Sequence, residues 1–253
     1  MKIIISPAKK MNINTDEFPV EGLPAFLEET RILQEKICSL SYEEAGALWK
    51  CNEKLTQLNY ERFQHMDLKR GLTPALLSYE GLQYQHMAPV IFTDTALAYV
   101  REHLRILSGF YGVLKPFDGV TPYRLEMQAP LLIGENKNLY EFWKDRIYRE
   151  LLDEDRVILN LASKEYSKVV EKYLTKEDRF ITLVFGELSG GKVRQKGTMA
   201  KMARGEMVRY LAVNNITDLE KIKDFTGSTY EFSEEYSNEK EWVFLLKNEK
   251  EDR

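Results

Sequence analysis

Four segments of the chain place charged or glycine-flanked residues where they could do chemistry. In "SPAKK" (6–10) a short apolar run ends at Ser6-Pro7 and delivers Lys9 and Lys10. Residues just past the carboxyl end of a strand commonly line sites in α/β folds, so Lys9 is either a site lysine or a solvated turn lysine. In "PYRLEM" (122–127) an extended chain puts Tyr123, Leu125 and Met127 on one face and Arg124 and Glu126 on the other. The two charges either pair, or they line a cleft where Glu126 serves as general acid or base and Arg124 clamps an anion.

The third segment is "HLRILSGFYGVLKPFD" (103–118). A helix running to Leu107, a turn at Ser108–Gly112 and a resumption at Val113 outline a helix–hairpin–helix. In that device Gly109, Tyr111 and Gly112 would form a turn whose backbone N–H groups face a phosphate, with Arg105 and Lys115 adding charge. The competing reading is a helix C-cap at Gly109 with Phe110 packed inward. The fourth segment, "GGKVRQKGTMAKMARGEMVR" (190–209), carries Lys192, Arg194, Lys196, Lys201, Arg204 and Arg209 against Glu206 alone. Lys201 and Arg204, three apart on a helix, share a face. Such a loop and helix suit a nucleic-acid backbone, or form a solvated basic surface.

These segments need a scaffold, and the 253 residues, 43% of them apolar, are enough to build one. Residues 2–5 are expected as a buried strand. Helices are expected over 23–40, from a capping box at Ser41 and Glu44, and through 52–66. Further expectations are a strand at 75–80, a helix over 93–107 capped by Thr93 or Asp94, a strand at 122–134 and a helix over 138–154. Strand 156–163, helix 164–174, strand 179–188, helix 198–216 and a short helix at 217–225 follow. Residues 228–236 and 241–247 close the chain as a hairpin. The expected class is α/β or mixed α+β, a single domain over 1–253 with a mixed sheet surrounded by helices.

No apolar run approaches a membrane span, so no membrane association is expected. Cys38 and Cys51 make no disulfide framework, which points to the cytoplasm. There is no P-loop, dinucleotide fingerprint, nucleophile elbow or zinc motif. His65, His86 and His103 are scattered, and no metal or cofactor is expected. The net charge of −4 argues against a nucleic-acid protein until its distribution is read. The segment from Asp218 to Arg253 holds eleven acidic and six basic residues, an acidic surface that offsets the basic one.

Taken together, "ISPAK", "HLRILSGFYGVLKPFD", "PYRLEM", "LYEFW" (139–143), "NLASKEY" (160–166) and "KMARGEM" (201–207) occur in an order that resembles the YaaA family of bacterial peroxide-stress resistance proteins. The resemblance covers nearly the whole chain. It implies an α/β fold of unusual topology with a basic cleft and a helix–hairpin–helix, DNA binding, and a role in limiting iron-dependent damage under peroxide. It attaches no firm enzymatic reaction. The matching positions include Ser6, Pro7, Lys9, His103, Arg105, Gly109, Tyr111, Gly112, Pro116, Tyr123, Arg124, Glu126, Asn160, Ser163, Glu165, Tyr166, Lys201, Arg204 and Gly205. The chain departs from the family pattern at Leu82, where an aspartate is usual, at His86 and Gln128, where glycines are usual, and at Met202, where a lysine is usual.

Two functions follow as expectations. The first is a DNA-binding protein of the peroxide stress response. Its contacts would be Lys9, Arg105, Gly109, Tyr111, Gly112, Lys115, Arg124, Lys192, Arg194, Lys196, Lys201, Arg204 and Arg209, with no protein partner implied. The second is an enzyme on a nucleic acid or nucleotide, with Glu126 and Lys9 catalytic and Lys9, Arg124 and Arg204 as anion clamps. Glu165 and Lys201 would then share its cleft. A dedicated iron site has no ligand cluster to support it.

Overall fold

The computed structural model of the protein describes residues 1–14, 16–226 and 229–247. Residue 228 of the expected closing hairpin and residues 248–253 of the acidic segment lie outside them. The eight strands of the main sheet are β1 (Lys2–Ile5), β2 (Leu104–Ser108), β3 (Gly112–Leu114), β4 (Val157–Leu161), β5 (Arg179–Ser189), β6 (Lys192–Arg194), β7 (Tyr230–Ser233) and β8 (Glu241–Leu246). Their order is β7-β8-β5-β4-β1-β2-β3, with β6 folded back on β5. Strands β8, β5, β4, β1 and β2 run parallel, and antiparallel β7 and β3 close the two edges. The class is mixed α/β.

The centre of the sheet explains itself from sequence. Ile3, Ile4 and Ile5 are all fully buried, as a parallel strand covered on both faces requires. Ile3 pairs with Leu104 on one side and Leu159 on the other. The principal helices are α1 (Leu27–Cys38), α2 (Tyr42–Trp49), α3 (Glu53–His65), α4 (Leu82–Met87), α5 (Asp94–His103), α6 (Lys164–Glu171) and α7 (Gly197–Val213). The capping box of α2 is formed as expected: Ser41 Oγ accepts from the Glu44 N–H, and Glu44 accepts from the Ser41 N–H. Thr93 caps α5 by accepting the Ala96 N–H.

Several expectations are corrected. The helix over 93–107 stops at His103, and Leu104–Ser108 is a fully buried strand. Its apolar spacing continues the helical period, but parallel pairing with β1 recruits it to the sheet. Beyond the turn, β3 returns antiparallel to β2. Residues 93–114 are thus a helix followed by a β-hairpin, not a helix–hairpin–helix. Residues 75–80 hold a helical turn (Ala75–Ser78) and only a two-residue strand (Tyr79–Glu80) paired with Lys10–Met11. The expected strand at 122–134 alternates in burial at Tyr123–Met127 but joins no ladder. The expected helix over 138–154 is two pieces, Leu139–Trp143 and Arg146–Leu151, broken where Lys144 takes a positive φ of 49°.

Candidate functional site

From β1 the chain continues to β2 on one side, and from neighbouring β4 it continues to β5 on the other. That reversal makes the carboxyl ends of β1 and β4 a topological switch point, where open α/β sheets leave a crevice. The residues that follow these strands are tied together: Ser6 Oγ accepts the Ser163 N–H at 2.8 Å. The Tyr84 hydroxyl donates to the Ser6 carbonyl at 2.9 Å and fixes the same turn. A cleft of about 400 Å³ opens there.

The cleft brings together Lys9, Arg124, Glu126, Lys201 and Arg204, with Lys10, Glu80 and Glu165. Lys9 Nζ lies 2.9 Å from Glu126 Oε2, and Arg124 Nη2 lies 3.1 Å from Glu126 Oε1. One carboxylate thus holds two cations, and the Arg124–Glu126 pairing open in the sequence is formed inside a cleft. Lys10 pairs with Glu80 at 2.6 Å. Lys201 and Arg204 make no ion pair with any described residue. The Nε atoms of Arg124 and Arg204 are buried without a hydrogen-bond partner. Burial pulls the Arg204 guanidinium below its ordinary pKa. Burial, with neighbouring Glu126 adding to it, pushes Glu165 up against the pull of the Gln128 N–H that it accepts. Glu165 therefore holds a proton more readily than an exposed carboxylate.

Two glycines set this geometry. At Gly205 on α7 an added Cβ would lie 2.1 Å from the Gln83 carbonyl oxygen on α4. The absent side chain lets α7 settle onto α4, which carries Lys201 and Arg204 over the cleft. At Gly109 an added Cβ would lie 2.5 Å from the Leu125 carbonyl oxygen. The glycine turn thus seats the 124–126 backbone that presents Arg124 and Glu126.

That use of the turn corrects its expected role. Gly109, Tyr111 and Gly112 are buried, and the N–H groups of Phe110 and Tyr111 already donate to Ser108 Oγ. No amide of that pair is left to meet a phosphate. The Gly112 φ of +74° and its contact with Trp143 explain that glycine by packing. Arg105 is buried too, and its Nη1 donates to the carbonyls of Arg101 and Leu104. It lies with Lys115 and Asp118 around a separate pocket of about 90 Å³. Lys192, Arg194, Lys196 and Arg209 are exposed and line no part of the cleft. Lys196 is paired with Glu187 at 2.8 Å.

His103 is structural: its Nδ1 lies 2.9 Å from the Met1 carbonyl and its ring packs on Tyr99. At the departures from the family pattern, Leu82 lines the cleft, His86 pairs with Glu206 at 2.9 Å, and the Gln128 N–H holds Glu165. Glu80 and Tyr84 are cleft residues that the sequence did not single out; Glu80 ends the misread 75–80 segment and Tyr84 follows it. Among the described residues no three His, Cys, Asp or Glu side chains gather as a metal site. No helix among them is long and apolar enough to cross a membrane.

The fold is that of a mixed α/β protein with a cleft at its switch point, where Lys201 and Arg204 have no ion pair among the described residues. The chain belongs to the family described as "Peroxide stress protein YaaA", which it matches over residues 1–236. Membership ties it to peroxide stress. It is 55% identical over 247 residues to a UPF0246 protein of Agathobacter rectalis, covering 98% of this chain and 99% of the relative. It is 54% identical over 245 residues to one of Lachnoclostridium phytofermentans, covering 97% and 96%. A UPF0246 protein of Pediococcus pentosaceus is 50% identical over 249 residues, covering 98% and 99%.

Proposed function

We propose that the protein serves the peroxide stress response by binding DNA through phosphate contacts made at the cleft and on the basic surface beside it. The observation that carries this reading is the convergence of Lys9, Arg124, Lys201 and Arg204, with two guanidinium Nε atoms buried and unpartnered. A buried unpartnered donor costs free energy that an incoming anion offsets. Lys192, Arg194, Lys196 and Arg209 extend the contact outward; Arg105, Gly109, Tyr111, Gly112 and Lys115 drop out of it. The contacts are cations rather than base readers, so binding is expected to be insensitive to sequence. Duplex binding titrated against salt tests it: the logarithm of affinity should fall linearly with that of salt, and each contact removed should lower the slope by about 0.9. No binding at low salt, or a flat salt dependence, sinks the reading.

A second reading, an enzyme on a nucleic acid or nucleotide, is supported by the two carboxylates in the same cleft. Glu126 is held between Lys9 and Arg124, while Glu165 is pushed toward its protonated form. Two carboxyl groups in such different surroundings can take separate acid and base roles. Glu126→Gln and Glu165→Gln should each abolish protection of cells against peroxide if chemistry is involved. Full protection by both variants argues for binding alone.

A further inference from the structure

The cleft differs from a surface for duplex DNA in size, depth and charge. Its volume of about 400 Å³ is at the small end for ligand pockets and has no room for a duplex. The Arg124 side chain is only 11% exposed, so it meets only what enters the cleft. A single nucleotide unit is the largest piece of DNA that fits.

Charge narrows the ligand further. Five cations (Lys9, Lys10, Arg124, Lys201, Arg204) face three carboxyl groups (Glu80, Glu126, Glu165), and five minus three leaves a balance of at least +2. The pairs Lys10–Glu80 and Lys9–Glu126–Arg124 account for three of the cations. Lys201 and Arg204 remain. A phosphodiester inside a strand carries one negative charge, whereas a phosphomonoester carries about −1.5 to −2 at neutral pH and offers three acceptor oxygens. The monoester matches the surplus, and guanidinium groups suit its geometry. Beside polar Ser6, Gln83 and Ser163, the lining carries apolar and aromatic side chains, Pro7, Leu82, Leu125 and Tyr166, that suit a base or sugar.

We propose that the cleft receives one nucleotide unit bearing a terminal phosphomonoester, its phosphate at Arg124, Lys201 and Arg204 and its base or sugar against Pro7, Leu82 and Tyr166. This rests on the reading that the cleft accepts a phosphate of DNA. The same chemistry has two sources: a free nucleoside monophosphate, or a phosphorylated strand end.

The test is fluorescence anisotropy on the full chain with three DNAs: a tailed duplex ending in phosphate, the same duplex ending in hydroxyl, and a closed dumbbell without ends. Competitors are a deoxynucleoside monophosphate and the unphosphorylated nucleoside. The phosphate end is expected to bind at least about tenfold more tightly than the hydroxyl end, or the monophosphate to compete where the nucleoside does not. Preference for the end assigns the cleft to strand ends; competition without end preference assigns it to free nucleotides. Lys201→Ala, at an exposed position, should remove either effect without moving the melting temperature, and Arg204→Ala should do the same. Equal binding of both ends with no competition overturns the proposal. It leaves the DNA reading intact if the dumbbell still binds in a salt-dependent way. Monophosphate binding without DNA binding at low salt overturns the DNA reading and keeps the cleft assignment.

Discussion

The two ends of the parallel sheet are both rich in charge, and they use it differently. At the amino end, Lys2 is buried with its Nζ donating to the Glu102 carbonyl and carboxylate at 2.9 and 3.0 Å. The Met1 amine is paired with Asp153 and Asp155, and Arg105 is spent on backbone carbonyls. Asp153 Oδ1, Arg156 Nε and Asp178 Oδ1 are buried at this end without a hydrogen-bond partner, but Asp153 is ion-paired with the Met1 amine, and Arg156 with Asp178 at 2.8 Å. At the carboxyl end, Arg124 and Arg204 keep unpartnered buried Nε atoms, and Lys201 has no carboxylate partner among the described residues. Satisfied charge near the core holds elements in register. Unsatisfied charge in a cleft is stability set aside for a ligand.

Perturbing each end in turn separates the two roles. The largest expected effect is at the glycine that brings α7 to the cleft. Gly205→Ala must force α7 from α4, and should cost about 3 kcal/mol, roughly 6–12 °C in melting temperature, together with DNA affinity. A variant that melts and binds like the parent would show that α7 is not held there. At the amino end, Lys2→Met should lower stability by about 2 kcal/mol in urea melts and leave DNA affinity unchanged. Loss of binding in that variant would erase the distinction between the ends.

Asp118 gives the amino end a pH signature. Burial pushes its carboxyl from 3.8 up to about 6. The folded state then binds the proton more tightly than the unfolded state. This group's stabilisation is complete below the unfolded value and is lost as pH rises through about 6. The loss is on the order of 2–3 kcal/mol. Asp118→Asn should remove that decline, read as the difference between variant and parent in urea melts from acid to neutral pH. Parallel curves would place Asp118 in contact with solvent. The smallest stability effect is expected at the carboxyl end. Arg204→Met should leave stability unchanged or raise it by up to about 1 kcal/mol, because it deletes a desolvated charge with no partner, while DNA affinity falls. A marked loss of stability would make Arg204 a structural residue like Lys2.

Much of the fold was legible because it is local. The run Ile3–Ile5 could only be a buried strand, and the caps at Ser41 and Thr93 are formed as their spacing predicts. The segment 104–108 was misread because Leu104, Ile106 and Leu107 suit either a helix or a strand buried on both faces. Pairing with β1, about a hundred residues away in sequence, decides it. The 122–127 segment shows the reverse. Its alternation was right, and Arg124 and Glu126 do share a cleft, yet no neighbouring strand is there to pair with it. The glycine turn at 108–112 has a phosphate-binding composition, but Ser108 Oγ consumes its amides.

By itself the sequence determined which residues carry charge and which runs are apolar, and it put Lys9, Arg124, Glu126, Lys201 and Arg204 beside Arg105, Lys115, Lys192, Arg194, Lys196 and Arg209 as site candidates. It could not rank them, because the chemistry of a charge depends on its partners and its water. Those are non-local: Lys9 meets Glu126 across more than a hundred positions, and Gly205 matters through the carbonyl of Gln83. Only the tertiary structure decided that Arg105 is spent on backbone carbonyls while the Arg204 Nε finds no partner among the described residues. The reason is that desolvation and pairing are set by which strands and helices are neighbours, and the topology of the sheet makes that choice.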